Sequence, residues 1–325
     1  MIFLGCDGGS TKTELLLTDE SGQMLAHRVF GGCNLAYLGE DGLQKHLQTC
    51  VQAVLDDAGK TAADVTGAMF GIPLYGEVAG TEEFMPRMVR ELLPDCRVLE
   101  VENDAVAGWG GSLGGKTGIH VVAGTGSITY AQDEAHHACR VGGWSLMFAD
   151  EGSCSWVGRQ VIAAFVKQAD GRLPRTVLYD LVREHFNLTE NDLYFAQTLQ
   201  IDFRQDSSKV AALQRIALQA AQSGDETMKQ VYRAAADELT QMVAAAKNKL
   251  SFAASPAVSY AGGLFHAGDL VLKPFYEGVE ALGCHIVKPR FSPVVGAVAL
   301  AARQLVDASV LDTMLERLEA ARPQR

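Results

Sequence analysis

Several things are scarce or missing in this 325-residue sequence, and each absence removes a class of function. No apolar run reaches about 18 residues, so no membrane-spanning helix is expected. Positive charge is short: 28 Lys and Arg against 39 Asp and Glu leave a net charge of −11. Such a chain is not expected to offer a surface for nucleic acid or anionic membranes. A nucleotide is not excluded, because backbone amides and a divalent metal can supply a local positive field. The seven cysteines contain no C-x-x-C spacing, so neither a zinc site nor a redox dithiol is signalled. Scattered and odd in number, they read as free thiols of a reducing cytosol, serving as small buried apolar groups. The N-terminus does not read as a secretory leader, since Asp7 interrupts the apolar start after six residues. A cytoplasmic protein is therefore expected. Composition that is 48% hydrophobic and 21% charged, over this length, suits two globular domains with separate cores.

What is present is a pattern that occurs twice. Residues 2–13 run from an apolar strand through Asp7-Gly8-Gly9-Ser10-Thr11-Lys12-Thr13 into Leu15-Leu16-Leu17. Residues 121–130 run from Val121-Val122-Ala123 through Gly124-Thr125-Gly126-Ser127 into Ile128-Thr129-Tyr130. A turn with little side chain lets backbone N–H groups approach an anion, and hydroxyls add donors. Either turn alone is also an ordinary hairpin; the pair suggests two similar halves facing one phosphate chain.

Between them, residues 15–18 and 24–30 read as strands, 40–58 as a helix stopped by Gly59, and 68–73 as a buried strand. Residues 82–93 form a helix stopped by Pro94, followed by a strand at 97–101. This alternation favours an α/β sheet with parallel strands. Asn103-Asp104-Ala105 then begins a helix, and 108–118, with six glycines, reads as a loop leading to the second half. Helices are expected at 155–168 and through most of 173–250. A short strand at 258–261 enters Gly262-Gly263. A helix at 270–282, a strand at 285–288, a helix from 293 and a charged tail complete the chain.

Some patterns carry less than they offer. Residues 110–117 match G-x-x-x-x-G-K-T literally, but that motif needs a strand before it and a helix after, and here the order is reversed. Gly124-Thr125-Gly126 begins a dinucleotide fingerprint that lacks its third glycine, with a strand where the helix belongs. His136 and His137 read as a solvated hairpin.

Other residues carry more. Asp7, at the end of a buried strand beside a phosphate turn, suits a Mg²⁺ between carboxylate and phosphate; it also suits an Asp capping its own turn. Asp104, at the carboxyl end of a strand, suits a base for an attacking hydroxyl, or a helix N-cap. Gly142-Gly143-Trp144 with Asp150-Glu151-Gly152 gives the acids, glycines and aromatic ring of a sugar site, though a tryptophan is commonly core.

Together these residues resemble the N-acetylglucosamine kinase branch of the actin/hexokinase/heat-shock-protein ATPase superfamily, which includes the BadF/BadG-type ATPases. The matching positions are residues 7–13, Asn34, residues 103–105, 124–127, 142–152 and 261–263. Departures are Ser10 and Ala149, where glycine is common, and Ile128, where some relatives carry a polar residue. The resemblance implies an α/β fold of two ribonuclease H-like domains with the active site in a cleft between them. The first would be residues 1–115, completed by a C-terminal helix at 293–325. The second would be residues 116–292, with a helical insertion at 173–250.

By the same resemblance Gly8, Gly9, Ser10, Thr11 and Lys12 hold ATP phosphates, Asp7 takes part in Mg²⁺ binding, and Gly124, Thr125 and Gly126 hold phosphates from the other domain. Gly262 and Gly263 lie against the adenosine. Asn34, Asp104, Ser127, Gly143, Trp144, Asp150 and Glu151 surround a sugar, with Asp104 as base for its 6-hydroxyl. An ATP-dependent amino-sugar kinase is expected, with N-acetylglucosamine, glucosamine or N-acetylmuramic acid as acceptor and a homodimer as default state. The alternatives are a BadF-type ATPase that activates a dehydratase, and a non-catalytic sugar-binding regulator.

Overall fold

The computed structural model describes residues 1–144, 149–195 and 207–322. It divides the chain into two compact units, residues 1–117 with 288–325 and residues 118–287.

The first unit is built on five strands: β1 (Ile2–Gly8), β2 (Lys12–Asp19), β3 (Met24–Gly31), β4 (Gly67–Gly71) and β5 (Val98–Glu102). Their order is β3-β2-β1-β4-β5. The first three form an antiparallel meander, because the Gly8–Lys12 turn and the turn at Asp19 are too short for a crossover. β4 and β5 then add in parallel through helical crossovers α1 (Leu35–Ala58) and α2 (Thr81–Leu92). The sheet is thus mixed, an antiparallel meander continued by parallel strands.

Side-chain alternation gives it two buried faces. Leu4, Cys6, Leu15 and Leu17 pack with Leu43, Leu47 and Val54 of α1 and Met85 and Val89 of α2. Phe3 and Leu16 point the other way. They meet Val294, Val295 and Val298 of one C-terminal helix (Pro293–Ala302) and Met314 and Leu315 of another (Ala308–Ala321). The expected single helix at 293–325 is therefore two, and residues 323–325 lie outside the described residues.

The stretch 108–118, expected as a loop, is helical as far as Leu113: α3 runs Asp104–Leu113. Its glycines serve helix packing. A Cβ at Gly111 would lie 2.3 Å from the Ser292 oxygen, and one at Gly296 would lie 2.0 Å from the Gly111 nitrogen. Backbones this close admit no side chain. Lys116, the lysine of the phosphate-loop-like pattern, pairs with Asp312 at 3.2 Å.

The second unit repeats the plan with β6 (Gly118–Ala123), β7 (Ser127–Gln132), β8 (Ala138–Gly142), β9 (Ala257–Ala261) and β10 (His285–Ile286). Their order is β10-β9-β6-β7-β8. β6 takes the place of β1, so the glycine turns at 8–11 and 124–126 occupy equivalent positions. Between β8 and β9 come α4 (Cys154–Ala169), α5 (Val177–His185), α6 (Ser207–Ala212), α7 (Gln214–Gln222) and α8 (Glu226–Lys249). Part of the expected helical insertion, residues 196–206, lies outside the described residues. After α9 (Asp269–Ala281) come β10 and the C-terminal helices, now α10 (Pro293–Ala302) and α11 (Ala308–Ala321). Among the described residues no helix is long and apolar enough to cross a membrane.

Candidate active site

Each unit assembles one group of the expected residues. In the first, the turn between β1 and β2 is closed by the Gly9 N–H donating to the Lys12 carbonyl at 2.7 Å. The glycines are required by crowding. A Cβ at Gly8 would lie 2.5 Å from Cys33 Sγ and 2.6 Å from the Gly71 oxygen, and one at Gly32 would strike the Ser10 carbonyl at 2.1 Å. The loop behind is tied on by the Cys33 N–H donating to the Gly9 carbonyl at 3.0 Å. Asn34 caps α1, accepting from the Ala36 N–H at 2.8 Å, while its amide donates to Ser10 Oγ at 2.8 Å. Asn34 and the phosphate turn are therefore neighbours. Lys12 extends from the turn to Glu14, with Nζ 3.0 Å from Oε2.

Asp7, on β1, and Asp104, which follows β5, approach the same place. Asp7 lies beside Gly71 in the β1–β4 ladder, and a Cβ at Gly71 would fall 3.2 Å from Asp104 Cα. The missing side chain of Gly71 is what lets the two acids come near each other. Asp104 is the first residue of α3, whose N-cap is Asn103, so the capping is done by the neighbour and not by Asp104 itself. Asn103 Oδ1 accepts from the Ala105 N–H at 3.1 Å, and its amide donates to Glu77 Oε1 at 3.1 Å. Burial first, then the negative charges of Asp7 and Glu77, lift the Asp104 carboxyl to about 7. A carboxylate poised there suits proton abstraction near neutrality. Glu77 was invisible in the sequence, where it is one polar residue in a loop.

In the second unit the turn at 124–126 is held from below by a helix. The first N–H groups of α4, on Cys154 and Ser155, donate to the carbonyls of Gly124 at 2.9 Å and Thr125 at 3.3 Å. The Gly262-Gly263 turn rests directly on it: a Cβ at Gly262, whose φ is +113°, would lie 2.3 Å from the Ala123 oxygen and 2.7 Å from the Gly124 nitrogen. The two turns meet at a cavity of about 570 Å³ lined by Gly124, Thr125, Gly263, Arg215 and His266. That volume is in the range of small-molecule sites. Arg215 and His266 escaped the sequence reading because they carry no motif.

The expected sugar residues of this unit gather near the end of β8. Ser127 is buried, and its hydroxyl donates to the Glu151 carbonyl at 2.7 Å. The Gly143 N–H donates to the Ser127 carbonyl at 2.8 Å. Gly143 takes a φ of +69°, and Asp150, buried, takes +54°, a conformation costly for a residue with a side chain and common at functional sites. Glu151 is exposed, and Trp144 is 81% exposed with the Arg140 guanidinium 6.0 Å from its ring centre. Trp144 is thus no core residue. Residues 145–148 of the same motif lie outside the described residues. A cavity of about 330 Å³ here is lined by Ser127, Gly142, Glu151, Glu238, Gln241 and Met242. The last three come from α8, within the stretch 173–250 expected only to be helical. Burial, then Glu151, raises the Glu238 carboxyl.

The residues suit ATP and Mg²⁺ in chemical terms. Asp7, Asp104 and Glu77 create a negative field that a divalent cation relieves. Among the described residues no three His, Cys, Asp or Glu side chains form a ready metal cage. Mg²⁺ is characteristically held by one or two carboxylates, water and substrate phosphates rather than by such a cage.

Two sheets of one strand order, each carrying a glycine turn at the same place, make a duplicated α/β fold. The chain belongs to the BadF/BadG/BcrA/BcrD ATPase family, which it matches over residues 4–301, as its motif set implied. It is 28% identical over 321 residues to an N-acetyl-D-glucosamine kinase of Dictyostelium discoideum, covering 92% of this chain and 97% of the relative. To an N-acetylmuramic acid/N-acetylglucosamine kinase of Clostridium acetobutylicum it is 26% identical, over 81% of this chain and 85% of that protein. A solved structure from Chromobacterium violaceum, described as a candidate N-acetylglucosamine kinase, shares the fold with a TM-score of 0.73 at 22% identity, covering 92% of this chain and 98% of that one.

Proposed function

We propose that this chain is an ATP-dependent amino-sugar kinase that phosphorylates the 6-hydroxyl of N-acetylglucosamine or a close relative such as glucosamine or N-acetylmuramic acid. The observation that carries the reading is Asp104, held at the end of β5 with its carboxyl lifted to about 7, beside a glycine turn and a second acid. Asp104 accepts the proton of the acceptor hydroxyl as its oxygen attacks the γ-phosphorus, and ADP leaves. Phosphoryl transfer asks for positioning and charge stabilisation more than for covalent chemistry. Gly8 to Lys12, and Gly124 to Gly126, are assigned to such contacts with the phosphates.

Asp7 would hold Mg²⁺, which neutralises charge on the phosphates when bound. Gly262 and Gly263 are assigned to the adenosine, with Gly263 bordering the cavity. Asn34 and Asp104 in the first unit, and Gly143, Trp144, Asp150 and Glu151 in the second, are assigned to the sugar. Ser127 supports Glu151 through its hydrogen bond to that carbonyl.

A BadF-type activator would share an iron–sulfur cluster between subunits and needs grouped, accessible thiols. Six of the seven cysteines are buried and the seventh, Cys139, is half-buried. A non-catalytic regulator would have no use for a poised Asp104. The test is ADP release across a panel of N-acetylglucosamine, glucosamine, N-acetylmuramic acid and glucose. Turnover with at least one amino sugar well above the sugar-free rate is expected. Equal ADP release with and without every sugar rejects the kinase reading.

A further inference from the structure

Glu14 is a charged residue that no part of the proposed chemistry uses, yet it is 2% exposed. Three side chains, two of them cationic, surround it. Oε2 takes Lys12 Nζ at 3.0 Å, and Oε1 takes His27 Nε2 at 3.0 Å and Arg322 Nη2 at 2.8 Å. Arg322 follows α11, and its orientation is fixed from behind. Its Nη1 lies 3.0 Å from Glu319 Oε1, and Glu319 Oε2 accepts from the Ser292 N–H and hydroxyl, each at 2.9 Å. A buried carboxylate is tolerated only while it is paired. Here the pairing is redundant and graded: His27 and Arg322 are each 15% exposed, whereas Lys12 is 41% exposed and belongs to the phosphate turn.

We propose that Glu14 is a positioning residue for the nucleotide: it holds the Lys12 ammonium beside the turn and yields it to a polyphosphate, while Arg322 and His27 keep the buried carboxylate paired. The proposal rests on the assignment of residues 8–12 to ATP phosphates. It gives the segment after α11 a part in nucleotide binding that its distance in sequence hides. Without Arg322, Glu14 would depend more heavily on Lys12, and giving up the lysine would cost more.

The experiment is calorimetric titration of the full-length protein with Mg²⁺–ADP in the absence of sugar, alongside ATP kinetics. Arg322→Ala is expected to weaken ADP binding about tenfold and to raise KM for ATP similarly, with kcat changed less than about twofold. Arg322→Lys restores much of the loss. Lys12→Met weakens binding by itself, and adding Arg322→Ala to it produces little further loss, because the lysine that Arg322 releases is gone. Fully additive losses in the double variant overturn the proposal, as does wild-type ADP affinity in Arg322→Ala with only a lowered Tm. Failure of the unaltered protein to bind ADP at all would instead reject the phosphate assignment itself.

Discussion

Asp7 and Glu14 stand directly opposite each other on the paired strands β1 and β2. Cross-strand neighbours of like charge destabilise a sheet, and this pair lies at the edge of the candidate site. The two acids are treated differently. Glu14 is saturated with partners in Lys12, His27 and Arg322. Asp7 adds its charge to the field that raises Asp104.

The compensated member should be visible in acid stability. Burial pushes the Glu14 carboxyl up, but hydrogen bonds from His27 and Lys12 and the charges of Lys12 and Arg322 outweigh it, taking it down to about 2. Its folded value is below its ordinary 4.5, so its contribution is complete above that pH and is lost as pH falls towards 2. The shift sets an upper bound of about 3 kcal/mol. Urea unfolding should find Glu14→Gln less stable than the unaltered protein at pH 7, with the gap narrowing below about pH 4.5 and closing only as pH approaches 2. A gap independent of pH would mean that packing rather than charge sets the loss.

Replacing Asp104 should remove turnover while sparing the fold. Asp104→Asn keeps size and hydrogen bonding but cannot accept a proton, and kcat should fall by about three orders of magnitude. In the unaltered enzyme kcat/KM for the acceptor should rise with pH through about 7, since the base must be deprotonated. That limb should be absent from the residual activity of the variant. Near-normal kcat in Asp104→Asn would take the base assignment away.

Gly262→Ala should act on the nucleotide alone. The added methyl meets the Ala123 carbonyl at 2.3 Å from a backbone at φ +113°, so the turn must lift from β6 and distort the 570 Å³ cavity beneath it. ADP affinity measured by calorimetry should drop by at least about tenfold. Sugar binding followed by Trp144 fluorescence should remain. An unchanged ADP affinity would place the nucleotide elsewhere.

Filling the smaller cavity should tell whether it serves the acceptor. Met242 of α8 lines it beside Gly142, and its methyl would lie 2.6 Å from a Cβ built on Gly142. Met242→Trp should raise KM for N-acetylglucosamine more than about fivefold and leave KM for ATP within about twofold, a loss of the size expected for a blocked substituent contact. Equal changes in both constants would indicate a disturbed unit rather than a blocked acceptor.

Much of this was readable in the sequence because glycine turns and strand ends are local features. Asp7, Asn34, Asp104 and the turns at 8–11, 124–126 and 262–263 announce themselves by neighbours in the chain. Glu14, Glu77, Glu238 and Arg322 do not, because their meaning comes from partners tens or hundreds of residues away. The same limit explains 108–118: read locally, six glycines spell a loop, since each costs helix stability in isolation. Tertiary contact overrides that local preference, because α10 approaches too closely for any larger residue on α3.

The close approach of α3 and α10 gives the last prediction. Gly296→Ala improves local helix propensity and would stabilise an isolated helix by about 1 kcal/mol. In the protein its Cβ would fall 2.0 Å from the Gly111 nitrogen and 2.3 Å from the Ala107 oxygen. Both are backbone atoms and cannot turn aside. Separating the helices should therefore cost about 3 kcal/mol, at the upper end of overpacking losses. Gly31→Ala is the control, since its Cβ meets nothing within 4 Å. Calorimetric unfolding should show Gly31→Ala within a degree or two of the unaltered protein and Gly296→Ala several degrees below it. If Gly296→Ala were instead the more stable, the glycines of α3 and α10 would not be there for close approach.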